Sequence, residues 1–310
     1  MNGIFEVNYA AFSVFAALLI TEIMGAAGLL IAWPSRSKVL DYIVPVWEVT
    51  GTFGAFWVVT GDFAYPGLLV PISAIFTPLL IVFLVLWVAR GVSIAYAEFI
   101  TKRRWLDEAK LYRAYAASTL ILALVVLVLL SALVGGQGVN LISGSFSILS
   151  WVTAGSVVFV IGTLLLALGL APVFFDLSAL RAFVLPLAAM GVVLSVLSYW
   201  LMSPGLLTPW MAVPVLLTLV VGLLYQWPRT TKIVTNKAVF LVVLSVIVFS
   251  LQPLVYPKAI GQALPIDAVT TSGAMASAFL SITAVGGVLL ALMLALYVTV
   301  AARGPSGPDL

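Results

Sequence analysis

The sequence predicts an all-α polytopic membrane protein of nine transmembrane helices, arranged as two four-helix units followed by one peripheral helix. Three observations predict it. Of 310 residues, 64% are hydrophobic and only 8% charged, whereas a soluble domain carries about 25% charged residues. The chain divides into nine apolar stretches of about 20 residues, the length an α-helix needs to cross the hydrocarbon core. Its basic residues fall almost entirely on alternate connections, as they do when cytoplasmic loops collect Lys and Arg.

The spans are expected at Asn8–Ala32, Tyr42–Thr60, Pro66–Ala89, Arg113–Val134, Ile148–Ala171, Phe183–Leu201, Pro209–Trp227, Ala238–Tyr256 and Gly273–Ala301. Turn-forming runs separate them: WPSRS after the first, GGQG after the fourth, MSPG after the sixth and QWPR after the seventh. Between the second and third, TGDFAYPG is the one polar break. MNGIFEVNYA places no basic stretch before the first apolar run, so that run reads as a retained span and not as a cleaved signal.

An odd number of spans puts the termini on opposite faces. One face then collects Arg36, Lys38, Arg90, Lys102, Arg103, Arg104, Lys110, Arg113, Arg181, Arg229, Lys232, Lys237 and Arg303, and the other only Lys258. The expected orientation is therefore N-terminus outside and C-terminus in the cytoplasm. The net charge of +3 orients the protein in its membrane; it does not indicate a nucleic-acid partner. The longest cytoplasmic loop is expected at Arg90–Tyr112. With neither Cys nor His in the chain, thiolate nucleophiles, disulfides, iron–sulfur ligation and the commonest haem and metal ligands are excluded.

A single membrane domain, 1–310, carries a weak internal repeat relating 8–134 to 148–256, with 273–301 left over. Pro66-Gly67 and Pro204-Gly205 are 138 residues apart and each precedes Leu-Leu; Arg90 and Arg229 are 139 apart. A shift of four spans preserves direction, so the repeat would be a parallel duplication. The second unit has no acid within a span; the first has two.

Those two acids need a reason. An ionisable group at the bilayer centre costs about 3 kcal/mol even on lenient scales. From the cytoplasmic end, Glu48 is expected roughly 9 Å deep and Glu22 roughly 15 Å deep. Either they relay protons inward from the cytoplasm, aided by burial that raises a carboxyl pKa, or they are interhelical hydrogen-bonders or partners of another subunit's Arg. Asp62 is expected solvated at the outer turn. Glu98, after the third span, either neutralises nearby Lys and Arg or admits protons. Most Trp and Tyr lie near span ends, as an interfacial belt requires; Trp57 is deeper, in the core or at the edge of a partner's cofactor.

The order of short motifs resembles subunit II of the cytochrome bd-type quinol oxidases over roughly residues 10–115 and 250–300. Thr21-Glu22 stands where that family has an acidic helix-one signature, and Pro45-Val46-Trp47-Glu48 where it opens helix two. Trp57 and Ala64-Tyr65-Pro66 follow. Arg90-Gly91-Val92-Ser93 comes after the third span, with Trp105 downstream. Tyr256-Pro257 and Asp267-Ala268-Val269-Thr270-Thr271-Ser272 precede the last helix. The chain departs from the family at Val49-Thr50, which replace Gly-Asn, and at Gly25, which replaces a second acid. The acid after helix three falls on Ala95, with Glu98 one turn later.

The resemblance implies a haem-free subunit that scaffolds a haem-bearing subunit I in a pseudosymmetric heterodimer and supplies a cytoplasmic proton path for reduction of O₂ to water. Haems b and d, and the quinol site, would belong to the partner. This chain would bind no cofactor directly, a structural quinone or lipid excepted, and would meet quinol only through the complex. Glu48 would be the proton inlet and Glu22 its continuation toward the partner's haems; Glu98 stands beside them as a further candidate for the proton pathway. Trp47, Trp57, Arg90, Gly91, Pro257, Asp267 and Ser272 would be family motif positions. Two other classes suit buried acids: a quinol-binding membrane anchor of another respiratory oxidoreductase, and a proton-coupled secondary transporter.

Overall fold

The computed structural model describes residues 3–100, 107–203, 205 and 207–303; Lys102, Arg103, Arg104, Trp105, Pro204 and the side chain of Arg303 lie outside the described residues. Among the described residues, nine helices are long and apolar enough to cross a membrane. Their cores are α1 (Ile4–Ile31), α2 (Arg36–Ala64), α3 (Leu69–Phe99), α4 (Glu108–Gly135), α5 (Ala154–Phe174), α6 (Arg181–Met202), α7 (Ala212–Gln226), α8 (Lys237–Phe249) and α9 (Gly273–Arg303). The protein is an all-α multi-pass membrane protein.

Local sequence explains several boundaries. Asp107 caps α4 by accepting from Ala109 N, and Gly136 ends it at φ +74°, a conformation that favours glycine. Thr153 and Ser156 form a capping box at the start of α5. Asn236 accepts from Ala238 N and Val239 N to start α8. Lys237 Nζ and Lys38 Nζ donate to the carbonyls of Phe174 and Asp176, each at 3.0 Å, placing two cations at the negative end of α5.

The third span runs longer than expected. Arg90 does not mark its end: the helix continues to Phe99, so the following connection is shorter than Arg90–Tyr112. Arg90 leaves the tally of loop cations as well. Nor do Arg90 and Arg229 occupy equivalent places, because Arg229 lies beyond α7 in the short helix Pro228–Val234. Ile148–Trp151 forms a separate short helix and does not extend α5.

Helix α1 is the hub. It is the most buried of the spanning helices, α3 and α9 being the least, and it packs on α2, α4, α5, α8 and α9. The closest pair is α5 with α6. Gly155, Gly162 and Gly169 recur every seven residues, and a Cβ on each would lie 2.7 Å from Met202 Cγ, 2.8 Å from Ser195 N and 2.7 Å from Ala188 N. Small residues let two backbones meet this closely where lipid offers no hydrophobic drive for association. At the end opposite the basic residues, two antiparallel hairpins cover the bundle: β1 (Val139–Asn140) with β2 (Ser145–Phe146), and β3 (Lys258–Ala259) with β4 (Leu264–Pro265). The second hooks onto α4, Ile260 N donating to Leu133 O at 2.7 Å.

Candidate functional site

Four motif positions meet where α1, α2 and α3 converge. Glu22 of α1 is fully buried and forms an ion pair with Arg90 of α3, itself only 2% exposed. The Arg90 guanidinium lies 4.0 Å over the Trp87 ring, one turn earlier on α3. Trp87 is 3.6 Å from where a Gly51 Cβ would be, and Trp47 is 3.7 Å from that of Gly91. Each tryptophan thus packs at ordinary van der Waals distance beside a glycine position on the facing helix. These two reciprocal contacts join α2 and α3, which otherwise barely touch.

The pair is set in a polar pocket within the hydrocarbon zone. Thr50, whose hydroxyl donates to Val46 O at 3.1 Å, lies beside the Glu22 carboxylate. Thr21 Oγ1 and Tyr42 Oη are 2.8 Å apart. Among the described residues, Glu22 Oε1 and the Tyr115 hydroxyl of α4 are buried without a hydrogen-bond partner, and Tyr115 is within electrostatic range of both charges. A Cβ on Gly25 would lie 2.2 Å from Ile43 Cδ1 and 3.2 Å from Phe175 Cζ. Ile43 of α2 and Phe175 therefore leave little room for a side chain at position 25.

Glu48 behaves differently. It is exposed on the flank of α2, as are Thr52, Ala55, Val59 and Asp62, and α3 and α9, the two least buried helices, stand on either side. By helical rise it is about 18 Å from the Arg36 end of α2, and Glu22 about 14 Å from the Ile31 end of α1. The two acids are at similar depth but face different ways: Glu48 is two residues, about 200° around the helix, from Thr50. A continuous route from Glu48 to Glu22 inside this chain is therefore not supported, since Glu22 is locked onto an internal arginine. The residue that marks this site in the sequence is Arg90, which follows a long apolar run and whose partner Glu22 lies 68 residues earlier.

The remaining predicted positions lie elsewhere. Glu98 accepts a hydrogen bond from the Tyr112 hydroxyl and ties the end of α3 to the start of α4; among the described residues no Lys or Arg forms a salt bridge with it. Asp62 is exposed near the end of α2, as expected. Trp57 packs between Phe12 and Phe15 at ring distances of 4.9 and 5.9 Å, with its Nε1 buried and, among the described residues, unpartnered. Pro257, Asp267 and Ser272 are in the connection before α9, at the base-poor end. There the Tyr256 hydroxyl donates to Asp267 Oδ2 at 3.1 Å, and Thr271 N donates to Ala64 O at 2.9 Å, tying this connection to the end of α2. Burial pushes the Tyr65 hydroxyl pKa up, and the nearby Glu6 and Asp267 add to the shift.

With no His or Cys, the chain offers haem iron none of its ordinary nitrogen or thiolate ligands. No model of a known protein family matches the chain, and no curated protein matches it.

Proposed function

We propose that this chain is the haem-free subunit of a membrane quinol oxidase of the cytochrome bd type. It scaffolds a haem-bearing subunit I that reduces O₂ to water. The reading places it in a prokaryotic cell membrane with its N-terminus outside and C-terminus in the cytoplasm. Haems b and d and the quinol site belong to the partner. The observation that carries the reading is the open flank of α2, α3 and α9. An acid at the depth of Glu48 facing lipid would cost about 3 kcal/mol, and a membrane-embedded partner on that flank removes the cost.

On this reading the two acids divide the work. Glu22 and Arg90 hold α1 to α3 and give the docking face its shape. Glu48, at the boundary between subunits, exchanges protons with the partner, and Glu98 and Tyr112 set the junction of α3 and α4 at the cytoplasmic end.

The test is purification of the intact complex through a tag on this chain. A haem spectrum, quinol-dependent O₂ uptake and a co-purifying His-rich multi-span subunit are expected. An iron–sulfur protein in that place would point instead to a quinol-binding anchor of another oxidoreductase. Proton-coupled solute uptake by vesicles holding this chain alone would replace the oxidase reading with transport.

A further inference from the structure

At the basic end of the bundle, two arginines from different helices converge on one indole. Trp33 belongs to the 3₁₀ turn Trp33–Ser35 between α1 and α2. The Arg36 guanidinium, at the start of α2, lies 5.2 Å from its ring centroid, and that of Arg113, on α4, lies 5.0 Å from it. The two charges are therefore held within about 10 Å of each other, one Debye length at ordinary ionic strength.

Neither arginine is engaged otherwise. Among the described residues, neither donates a hydrogen bond and neither has a carboxylate oxygen within 4.0 Å. The acids of this end are turned elsewhere. Asp107 faces Lys110 at 3.9 Å, Asp176 faces Lys38 at 4.0 Å and Glu98 accepts from Tyr112. Asp41 and Glu108 reach neither guanidinium. Two planar forks, each able to grip a phosphate through paired N–H groups, are thus fixed on an aromatic platform at the level where Trp marks the headgroup region. Immediately before the platform, Leu30 and Ile31 are 45% and 61% exposed, presenting an apolar wall on the hydrocarbon side.

We infer that Arg36 and Arg113, braced on Trp33, bind the phosphate of an anionic phospholipid whose acyl chains lie along Leu30 and Ile31. The cation–π contacts hold both side chains in place before the lipid arrives, which lowers the ordering cost of binding. An anionic headgroup also relieves the repulsion between the two guanidinium groups. The adjoining apolar wall is why the ligand is a lipid and not a free anion. The inference is independent of the oxidase reading, since it concerns the chain in any complex.

The protein, purified in mild detergent through a tag on this chain, is equilibrated with equal amounts of phosphatidylglycerol and phosphatidylcholine, and the retained lipid is measured by mass spectrometry. Enrichment of phosphatidylglycerol should fall about fivefold for each of Arg36→Gln and Arg113→Gln. Both side chains are exposed, so the variants should fold, as an unchanged size-exclusion profile checks. Arg229→Gln with Lys232→Gln, a pair of cations on the same face in another connection, should leave the enrichment unchanged. Equal loss in that control would mean that net charge alone selects the lipid, and the site would be overturned. Unchanged enrichment in both arginine variants overturns it directly. Displacement of the retained lipid by millimolar inorganic phosphate would assign the site to a free anion and overturn the lipid assignment.

Discussion

Two helix pairs, one in each half of the molecule, solve interhelical contact in opposite ways. In the second, α5 and α6 bring backbone against backbone through Gly155, Gly162 and Gly169, and no acid sits inside a span. In the first, α2 and α3 meet through two tryptophan–glycine contacts and otherwise stand apart, while α1 and α3 are joined by a buried ion pair. The first mode leaves nothing to be satisfied by another molecule. The second leaves a carboxylate, Glu48, on an open flank. A bundle whose helices all packed as α5 and α6 do would have no reason to carry that residue.

The comparison can be broken most severely at the ion pair. Arg90→Leu leaves the Glu22 charge buried without its partner, a loss of about 3–5 kcal/mol, and should sharply reduce the amount of folded chain recovered from membranes. Adding Glu22→Leu to that variant should restore most of the yield, because removing both charges removes the desolvation cost. If the double variant is as poor as the single one, the loss comes from the missing link between α1 and α3 and not from an unpaired buried charge.

Gly25→Asp puts a second acid on α1 at a position where even a methyl group would meet Ile43. It should cost roughly 3 kcal/mol or more through an unpaired intramembrane charge, and Gly25→Ala should cost less. Thermal unfolding midpoints in detergent measure both; a tolerated aspartate would show that α1 and α2 separate more easily than their packing implies.

Gly162→Leu tests the second half. Forcing a side chain against Ser195 N should destabilise by about 1–3 kcal/mol, the usual cost of overpacking. Gly287→Leu on α9, where a Cβ meets nothing within 4 Å, should leave the isolated chain unaffected. If Gly287→Leu nonetheless impairs recovery of the complex, the flank containing α9 is covered by a partner.

Glu48→Gln should have the smallest effect on the fold, under about 0.5 kcal/mol, as for other residues outside the packed interior. Under the oxidase reading it should still slow quinol-dependent O₂ uptake by roughly tenfold or more, the loss expected when a proton-transfer group is neutralised. Oxygen-electrode rates across a broad pH range read the effect. Wild-type rates throughout would leave Glu48 a docking residue only.

Hydrophobicity and turn residues by themselves determined the class of the protein, its nine helices and most connections. Crossing a bilayer is a property of each segment alone: about 20 apolar residues that satisfy their own backbone groups. Gly136, within the GGQG run, was readable for the same reason, since a cap acts within one turn. Which polar side chains look inward was decided only by tertiary structure. Arg90 had the sequence context of a span end, yet Glu22, on a helix far away in the chain, draws it into the interior. Glu48 had the context of a buried acid and faces outward, because α2 turns Thr50 and not Glu48 toward α1. A helix repeats every 3.6 residues, so one sequence can present any of its faces to the core, and only its neighbours fix which one.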